Sequence, residues 1–196
     1  MSKKTALVIS AHAADFVWRA GGAIALHQAK GYEVTIVCLS YGERGESAKI
    51  WKEPGVTLDK VKTARRVEAE NAAKALDAHD IQFFDLGDYP LEMDKDAKFR
   101  LVDVIRKVMP TFMMSHSLWD PYNTDHMNAT RWALECRMIA QAWGHNPHEK
   151  VLGAPQLYLF EPHQTEQMQW KPDVFLDITE VWDKKLAAIR CMEGQE

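Results

Sequence analysis

The chain has 196 residues, of which 46% are hydrophobic and 27% charged, so it is long enough for one globular domain with a sizeable core. A net charge of -4 argues against nucleic acid and against an anionic membrane surface as partners. Three well-separated cysteines exclude a cysteine-based metal knuckle and favour a reducing, cytoplasmic location. No apolar run approaches the roughly 18 residues of a membrane span. Seven tryptophans and nine methionines are interpreted first as core packing, and we also expect a homo-oligomer.

The hydrophobic pattern at the start of the chain predicts a strand, a helix and a second strand. Residues 5–10 (TALVIS) form a short apolar run, which is typical of a buried strand rather than a signal peptide. Residues 20–30 predict a helix that ends at Gly31, because glycine accepts the left-handed conformation. Residues 33–39 (EVTIVCL) predict the second buried strand. Such a unit predicts a right-handed crossover between parallel strands.

The same alternation continues after a polar loop at residues 41–58. Helices are predicted over residues 59–78, 94–108, 128–143 and 178–190, and strands over residues 81–86, 111–115, 156–160 and 174–177. The pattern predicts an α/β fold, a Rossmann-like three-layer sandwich with a mainly parallel sheet. We find neither an internal repeat nor a linker, so we expect residues 1–196 to form a single catalytic domain.

Chemistry-bearing side chains follow the predicted strands. His12 and Asp15 follow the first strand, and His126 follows the fourth. Because ligands bind beyond the carboxyl ends of parallel strands, these side chains are expected to converge on one rim. Two imidazoles and a carboxylate suit zinc and other first-row metals and leave a coordination position open. From spacing alone, a hydrogen-bonded loop histidine is the alternative at each position, and Asp125 either orients a ligating imidazole or caps the next helix.

The stretch AHAADFVWRAGG at residues 11–22 resembles the HPDDE…GG signature of the LmbE/PIG-L family of zinc-dependent deacetylases. A Gly-Glu pair after the second strand, Arg65 with Glu68 on a helix, the DPYNTDH segment at residues 120–126 and the closing helix VWDKKLAAI also match that family. The resemblance covers nearly the whole chain. It implies the family's fold and the binding of zinc, or of another divalent metal, by His12, Asp15 and His126.

The chain departs from the deacetylase pattern at three positions. Ala14 stands where the deacetylases carry the aspartate that activates water, Phe16 replaces a glutamate, and Asn123 replaces a histidine that stabilises the oxyanion. Loss of a general base lowers the rate of amide hydrolysis by about 10² to 10⁴. The stretches VCLSYGERGESAK, SHSLWDPYNTDH and FEPHQ resemble a hydratase branch of the family that shares these departures. Members of this branch are longer, so we expect that a C-terminal segment is absent here.

The hydratase resemblance implies a small-molecule substrate, a tricarboxylic oxo-acid, to which water is added across a conjugated carbon–carbon double bond. Glu46 is then the expected base, and His163 is the expected acid or substrate-orienting group. The alternatives are a deacetylase that uses Glu46 as a substitute base, and a binding protein without turnover. Pocket charge distinguishes the first two, because a tricarboxylate requires a basic pocket. Arg19 is a weaker candidate for a substrate contact, and the expected substrate-binding residues are Arg44, Lys49, Arg65, His116 and Asn123.

Overall fold

Five parallel strands lie between two layers of helices in the computed structural model, which describes residues 4–195. The strands are β1 (Thr5–Ser10), β2 (Glu33–Cys38), β3 (Asp80–Phe83), β4 (Phe112–Ser115) and β5 (Gln156–Leu159). Their order is β3-β2-β1-β4-β5, and every neighbouring pair is parallel. The predicted Rossmann-like three-layer sandwich is therefore confirmed.

The helices pack on both faces of the sheet because the side chains of β1 point alternately to either side. Ala6 and Val8 pack in the core under α1, α3 and α6, whereas Leu7 and Ile9 pack in the core under α4 and α5. Burial of each large aliphatic side chain contributes about 1.5–3 kcal/mol to folding. The helices are α1 (Gly21–Ala29), α2 (Ala48–Trp51), α3 (Leu58–Ala75), α4 (Lys95–Val108), α5 (Thr124–Ile139) and α6 (Trp182–Ile189).

The direction of the chain across the sheet changes at β1. From β1 the chain builds β2 and β3 on one side, and it then returns to the other side to form β4 and β5. The loops that leave the carboxyl ends of β1 and β4 therefore separate and border a crevice, which is where open α/β sheets bind ligands. This topology brings the histidines that follow these two strands close together.

Helix α5 begins at Thr124, four residues before the predicted start, so that boundary was wrong. The Asn123 side-chain oxygen accepts a hydrogen bond from Asp125 N at 3.1 Å, which caps the helix. Asp125 and His126 consequently lie in the first helical turn rather than in a loop. The helix thereby fixes both side chains at the edge of the crevice.

Three further predictions differ from the structure. Residues 174–177 form no strand, and Val174 and Phe175 are 61% and 85% exposed, because an apolar run needs a neighbouring strand before it can form a ladder. The predicted final helix is divided into a 3₁₀ turn (Thr179–Val181) and α6. The predicted loop at residues 41–58 contains the short helix α2.

None of the helices formed by residues 4–195 is long and apolar enough to cross a membrane.

Candidate metal centre and active-site cavity

His12 and Asp15 lie in the turn that leaves the carboxyl end of β1. Asp15 Oδ2 accepts a hydrogen bond from His12 N at 2.8 Å and lies 3.1 Å from His12 Nδ1. Both side chains are buried. The turn therefore folds the carboxylate of Asp15 back onto the imidazole of His12.

His126, which is buried, and Glu46, which is partly exposed, complete a cluster around Asp15. His126 Nε2 lies 3.2 Å from Asp15 Oδ1, and Glu46 Oε1 lies 3.5 Å from His12 Nδ1. Each of the four side chains offers one ligand atom, and these atoms all lie within 4.8 Å of one another. His12, Asp15, Glu46 and His126, called the inner cluster below, form a possible metal site. The structure thus brings the three predicted metal ligands and the predicted base together.

Two aspartates orient the imidazoles of the inner cluster. Asp125 Oδ2 lies 3.2 Å from His12 Nε2, and Asp120 Oδ2 lies 3.0 Å from His126 Nδ1. A proton on each of these outer ring nitrogens leaves the lone pairs of His12 Nδ1 and His126 Nε2 directed at Asp15. Asp125 therefore contacts the imidazole of His12, not that of its neighbour His126. This arrangement of carboxylate and histidine is common around protein-bound metals.

The residues of the inner cluster fit a divalent metal. His12 Nδ1, His126 Nε2 and Glu46 Oε2 are buried and have no hydrogen-bond partner among residues 4–195. His12 Nδ1 lies 3.1 Å from Asp15 Oδ2 and His126 Nε2 lies 3.2 Å from Asp15 Oδ1, so two imidazoles and a carboxylate, ligand types that zinc binds, are in close contact. Lone pairs of two imidazoles that face carboxylate oxygens repel them unless a positive charge lies between. A cation bound by these atoms would remove that repulsion.

The pKa shifts of the inner cluster also indicate that its carboxylates favour a positive charge beside them. Burial by itself would lower the pKa of His12, but Glu46 and Asp15 outweigh it and raise that pKa well above its usual value. Burial would raise the pKa of Asp15, but the neighbouring imidazoles, His126 foremost, hold it well below its usual value. Burial, reinforced by Asp15, raises the pKa of Glu46 to about 7.

A glycine turn after β2 brings Glu46 to the cluster. Gly42 has φ +68°, and a Cβ there would lie 2.9 Å from Glu46 Oε2 and 3.2 Å from His12 Cβ, so only glycine leaves enough space. Arg65 lies on the other side of Glu46, is completely buried, and pairs with Glu68 at 2.6 Å. Arg65 Nη2 is 3.7 Å from Glu46 Oε2. Arg65 therefore lies behind Glu46, with its side chain shielded from solvent.

A cavity of about 470 Å³ opens beside the inner cluster. His163 borders it, and His163 Nδ1 lies 3.2 Å from Asp120 Oδ2 while its ring stacks on that of His126 with 5.1 Å between centroids. The contact with Asp120 leaves His163 Nε2 available to a ligand. The residues that line the cavity are Asp15, Trp18, Arg19, Glu46, His163 and Gln195.

The other predicted substrate-binding side chains do not line this cavity. Arg44 and Lys49 are exposed, and Arg44 donates to the backbone oxygen of Asp88. His116 is buried against His126, with 4.0 Å between ring centroids, and its Nε2 accepts a hydrogen bond from a backbone N–H of the β1 turn. Asn123 caps α5 and donates to the hydroxyl of Tyr89.

Sequence reasoning missed three residues that shape this region. Asp120 contacts both His126 and His163 and opens the DPYNTDH segment, so its acidic side chain just after a predicted strand was the available signal. Tyr89 stacks on His12 with 5.7 Å between ring centroids. Gln195 accepts a hydrogen bond from Trp18 Nε1 at 2.7 Å. No local pattern in the sequence distinguishes Tyr89 or Gln195, because only the tertiary fold brings them to the cavity.

Comparison with known proteins identifies the family. The sequence model of PIG-L, described as GlcNAc-PI de-N-acetylase, matches residues 7–137. The chain belongs to the PIG-L family. The matched segment of this PIG-L protein contains His12, Asp15, Glu46 and His126, and therefore the whole inner cluster.

One curated relative and one solved structure resemble this chain far more strongly than a second solved structure. A protein of Pseudomonas putida KT2440 named 4-oxalmesaconate hydratase is 63% identical over 194 residues, which cover 99% of this chain and 75% of that protein. The crystal structure of GalB, the 4-carboxy-2-hydroxymuconate hydratase from P. putida KT2440, has a TM-score of 0.95 at 63% identity and covers 98% of this chain and 80% of that one. The structure of an N,N'-diacetylchitobiose deacetylase from Pyrococcus horikoshii has a TM-score of 0.83 at 25% identity. The match covers 98% of this chain and 71% of that one.

Proposed function

We propose that this chain is a metal-dependent hydratase, a hydro-lyase, that adds water to the conjugated double bond of 4-oxalomesaconate to give 4-carboxy-4-hydroxy-2-oxoadipate. The single observation that carries the reaction is the 63% identity, over 99% of the chain, to the P. putida protein named 4-oxalmesaconate hydratase. The proposal includes residues 1–196 as one catalytic domain, a cytoplasmic location, and a role in the breakdown of gallate and related aromatic acids.

We propose zinc as the metal, held by His12, Asp15 and His126, because imidazole and carboxylate ligands suit zinc. A divalent metal bound there would polarise substrate oxygens and stabilise the enolate charge that develops during addition. The chain's own residues then have two tasks, which are to remove a proton from water and to deliver a proton to carbon.

Glu46 is the proposed base. Its carboxylate borders the cavity and lies 3.5 Å from His12 Nδ1, so it could reach a water molecule beside the proposed metal. It would take a proton from water as the water oxygen bonds to the carbon β to the ketone. Arg65 Nη2 lies 3.7 Å from Glu46 Oε2, so a positive charge remains beside the carboxylate between turnovers.

His163 is the proposed acid. It borders the same cavity, and Asp120 fixes its Nδ1, so that Nε2 is the nitrogen that would give a proton to the other carbon of the double bond. The proton that Glu46 removes and the proton that His163 donates balance the addition of one water molecule. Deprotonated His163 and protonated Glu46 then exchange protons with solvent through the open cavity.

Ala14 disfavours the deacetylase alternative. It occupies the position at which the deacetylases carry their base, is completely buried among apolar side chains, and cannot accept a proton. Glu46 is the carboxylate left at the cavity wall once Asp15 binds a metal.

The test is to incubate the zinc-loaded protein separately with 4-oxalomesaconate and with N-acetylglucosamine conjugates, and to identify the products by mass spectrometry. A product heavier than 4-oxalomesaconate by one water molecule, without release of acetate from the conjugates, is expected. Acetate release without hydration would overturn the proposal.

We also propose that the chain forms a homo-oligomer. Several large apolar side chains are exposed on the isolated chain, among them Trp119 at 62% and Trp143 at 70%. Exposed aromatic groups of this size are typical of protein interfaces. Light scattering on the purified protein would give the mass, and a monomer at micromolar concentration would contradict this part of the proposal.

A further inference from the structure

Among residues 4–195, Arg19 is the only Arg or Lys whose side chain lines the active-site cavity. It lies in the π-helical turn Phe16–Ala20, which follows Asp15 directly. π-Helical turns within helices are rare and are frequent at functional sites. The arginine is therefore held one helical turn from a proposed metal ligand, and its side chain is only 19% exposed.

The guanidinium of Arg19 makes no hydrogen bond to another of the described residues, in contrast to other arginines of this protein. Arg65 donates to Tyr41 O and to Glu68, and Arg106 donates to four backbone oxygens at the carboxyl end of α5 and beyond it. The ion-pair partner of Arg19 is Glu161, at 3.9 Å, and the Glu161 side chain is 66% exposed. A pair this long and this exposed is weak, so the planar fork of Arg19 donors is free for a ligand.

A divalent metal in the inner cluster would make this cavity favour an anionic ligand. Asp15 and Glu46 bring two carboxylates to its wall, and these repel a substrate that carries several carboxylates of its own. A divalent metal offsets the two acids, and Arg19 adds the net positive charge that attracts an anion. Its guanidinium geometry matches a carboxylate in a bidentate pair.

We propose that Arg19 binds one carboxylate of the substrate and thereby makes the site selective for a tricarboxylic acid over a dicarboxylic acid. The identity of that substrate rests on the proposed hydratase function, but the recognition of a carboxylate by Arg19 does not. Arg19 is thus a specificity-determining residue at the wall of the cavity, in a position that Arg44, Lys49 and Arg65 do not occupy.

Calorimetry without turnover tests the proposal on the zinc-loaded full chain. Three saturated acids serve as probes: tricarballylate, glutarate, which lacks the central carboxylate, and methylsuccinate, which lacks one terminal carboxylate. The variants are Arg19→Gln and Arg19→Lys, with Arg131→Gln as the control, because Arg131 is an exposed arginine on α5. Circular dichroism and metal analysis show whether each variant is folded and loaded.

In the wild-type protein and in Arg131→Gln, removal of the carboxylate that Arg19 contacts should weaken binding by about 10-fold to 100-fold. In Arg19→Gln, tricarballylate should bind about as weakly as the acid that lacks this carboxylate. The affinity of Arg19→Lys for tricarballylate should lie between those of the wild-type protein and Arg19→Gln, because lysine keeps the positive charge but cannot form a bidentate pair.

Three results would overturn the proposal. They are binding of tricarballylate by Arg19→Gln with wild-type affinity, a loss of affinity for all three acids by one common factor in Arg19→Gln, and no binding of any of the acids by the wild-type protein. Failure of the hydratase proposal gives a different pattern, since the wild-type protein would then bind carboxylates through Arg19 but would not hydrate 4-oxalomesaconate.

Discussion

The two sides of the active-site cavity differ in how firmly their polar groups are held. In the inner cluster, Asp125 fixes the imidazole of His12 and Asp120 fixes that of His126, and both rings are buried. The other side of the cavity, called the outer wall, is formed by Trp18, Arg19, His163 and Gln195. There Arg19 makes no side-chain hydrogen bond to the described residues, and the His163 side chain is 43% exposed. The difference teaches that the groups suited to a metal are preorganised, whereas the groups suited to a substrate keep free donors.

The largest expected effect comes from removal of an inner-cluster ligand. His12→Ala should abolish metal binding and hydration, because the remaining imidazole and carboxylates cannot complete the proposed site. Metal analysis and the hydration assay measure the two losses. His148→Ala, an exposed histidine, is the matched control. A His12→Ala protein that still holds one metal ion per chain would show that the inner cluster is not the metal site.

Glu46→Gln separates the chemistry from the metal. We expect kcat to fall by about 10² to 10⁴, because glutamine cannot accept a proton, while the metal content stays at the wild-type level. Steady-state kinetics and metal analysis on the same sample test this, with the exposed Glu53→Gln as the control. Full activity in Glu46→Gln would exclude Glu46 as the base, and loss of metal would make it a ligand instead.

Asp120→Asn tests the support between the two sides of the cavity, since Asp120 contacts both His126 and His163. Asparagine keeps the size of the side chain and removes its charge, so metal affinity should fall by about 10-fold to 100-fold. Competition with a chelator measures the affinity, and kcat should also fall because His163 loses the partner that orients its ring. Unchanged affinity and an unchanged kcat would show that Asp120 supports neither histidine.

The smallest expected effect is that of Lys49→Gln. The sequence predicts Lys49 as a substrate contact, but the side chain is exposed on α2 and does not line the cavity. We expect KM to change less than about threefold, as is usual for an exposed charge. A rise in KM of tenfold or more would show that Lys49 contacts the substrate and belongs to the outer wall.

Much of the fold and of the inner cluster could be predicted because short-range patterns encode them. The buried strands β1 and β2 are continuous apolar runs, and parallel strands gather the residues that follow them at one edge. The positions of His12, Asp15 and His126 follow from that rule together with the family resemblance. The start of α5 was missed because its cap, Asn123, lies within a polar segment typical of a loop.

The sequence offered His163 and Arg19 as candidates, but local patterns could not predict how the outer wall is assembled. Arg19 and Gln195 are 176 residues apart in the chain and meet at the cavity only through the packing of α6 and the turn after it. Arg65 was expected at the substrate, yet tertiary packing buries it behind Glu46, and neither burial nor direction can be read from a single arginine on a helix. Arginine as a residue type predicts an anion, and only the fold determines which arginine faces it.

The measurement that tests the central claim most directly is a time course of ultraviolet absorbance. Zinc-loaded wild-type protein, with its metal content confirmed, is mixed with 4-oxalomesaconate, and the loss of the conjugated chromophore is followed. The proposed hydratase function predicts a rapid loss in the wild-type protein and a loss slower by about 10² to 10⁴ in metal-loaded Glu46→Gln. A stable absorbance in the presence of fully loaded wild-type protein would contradict the assignment.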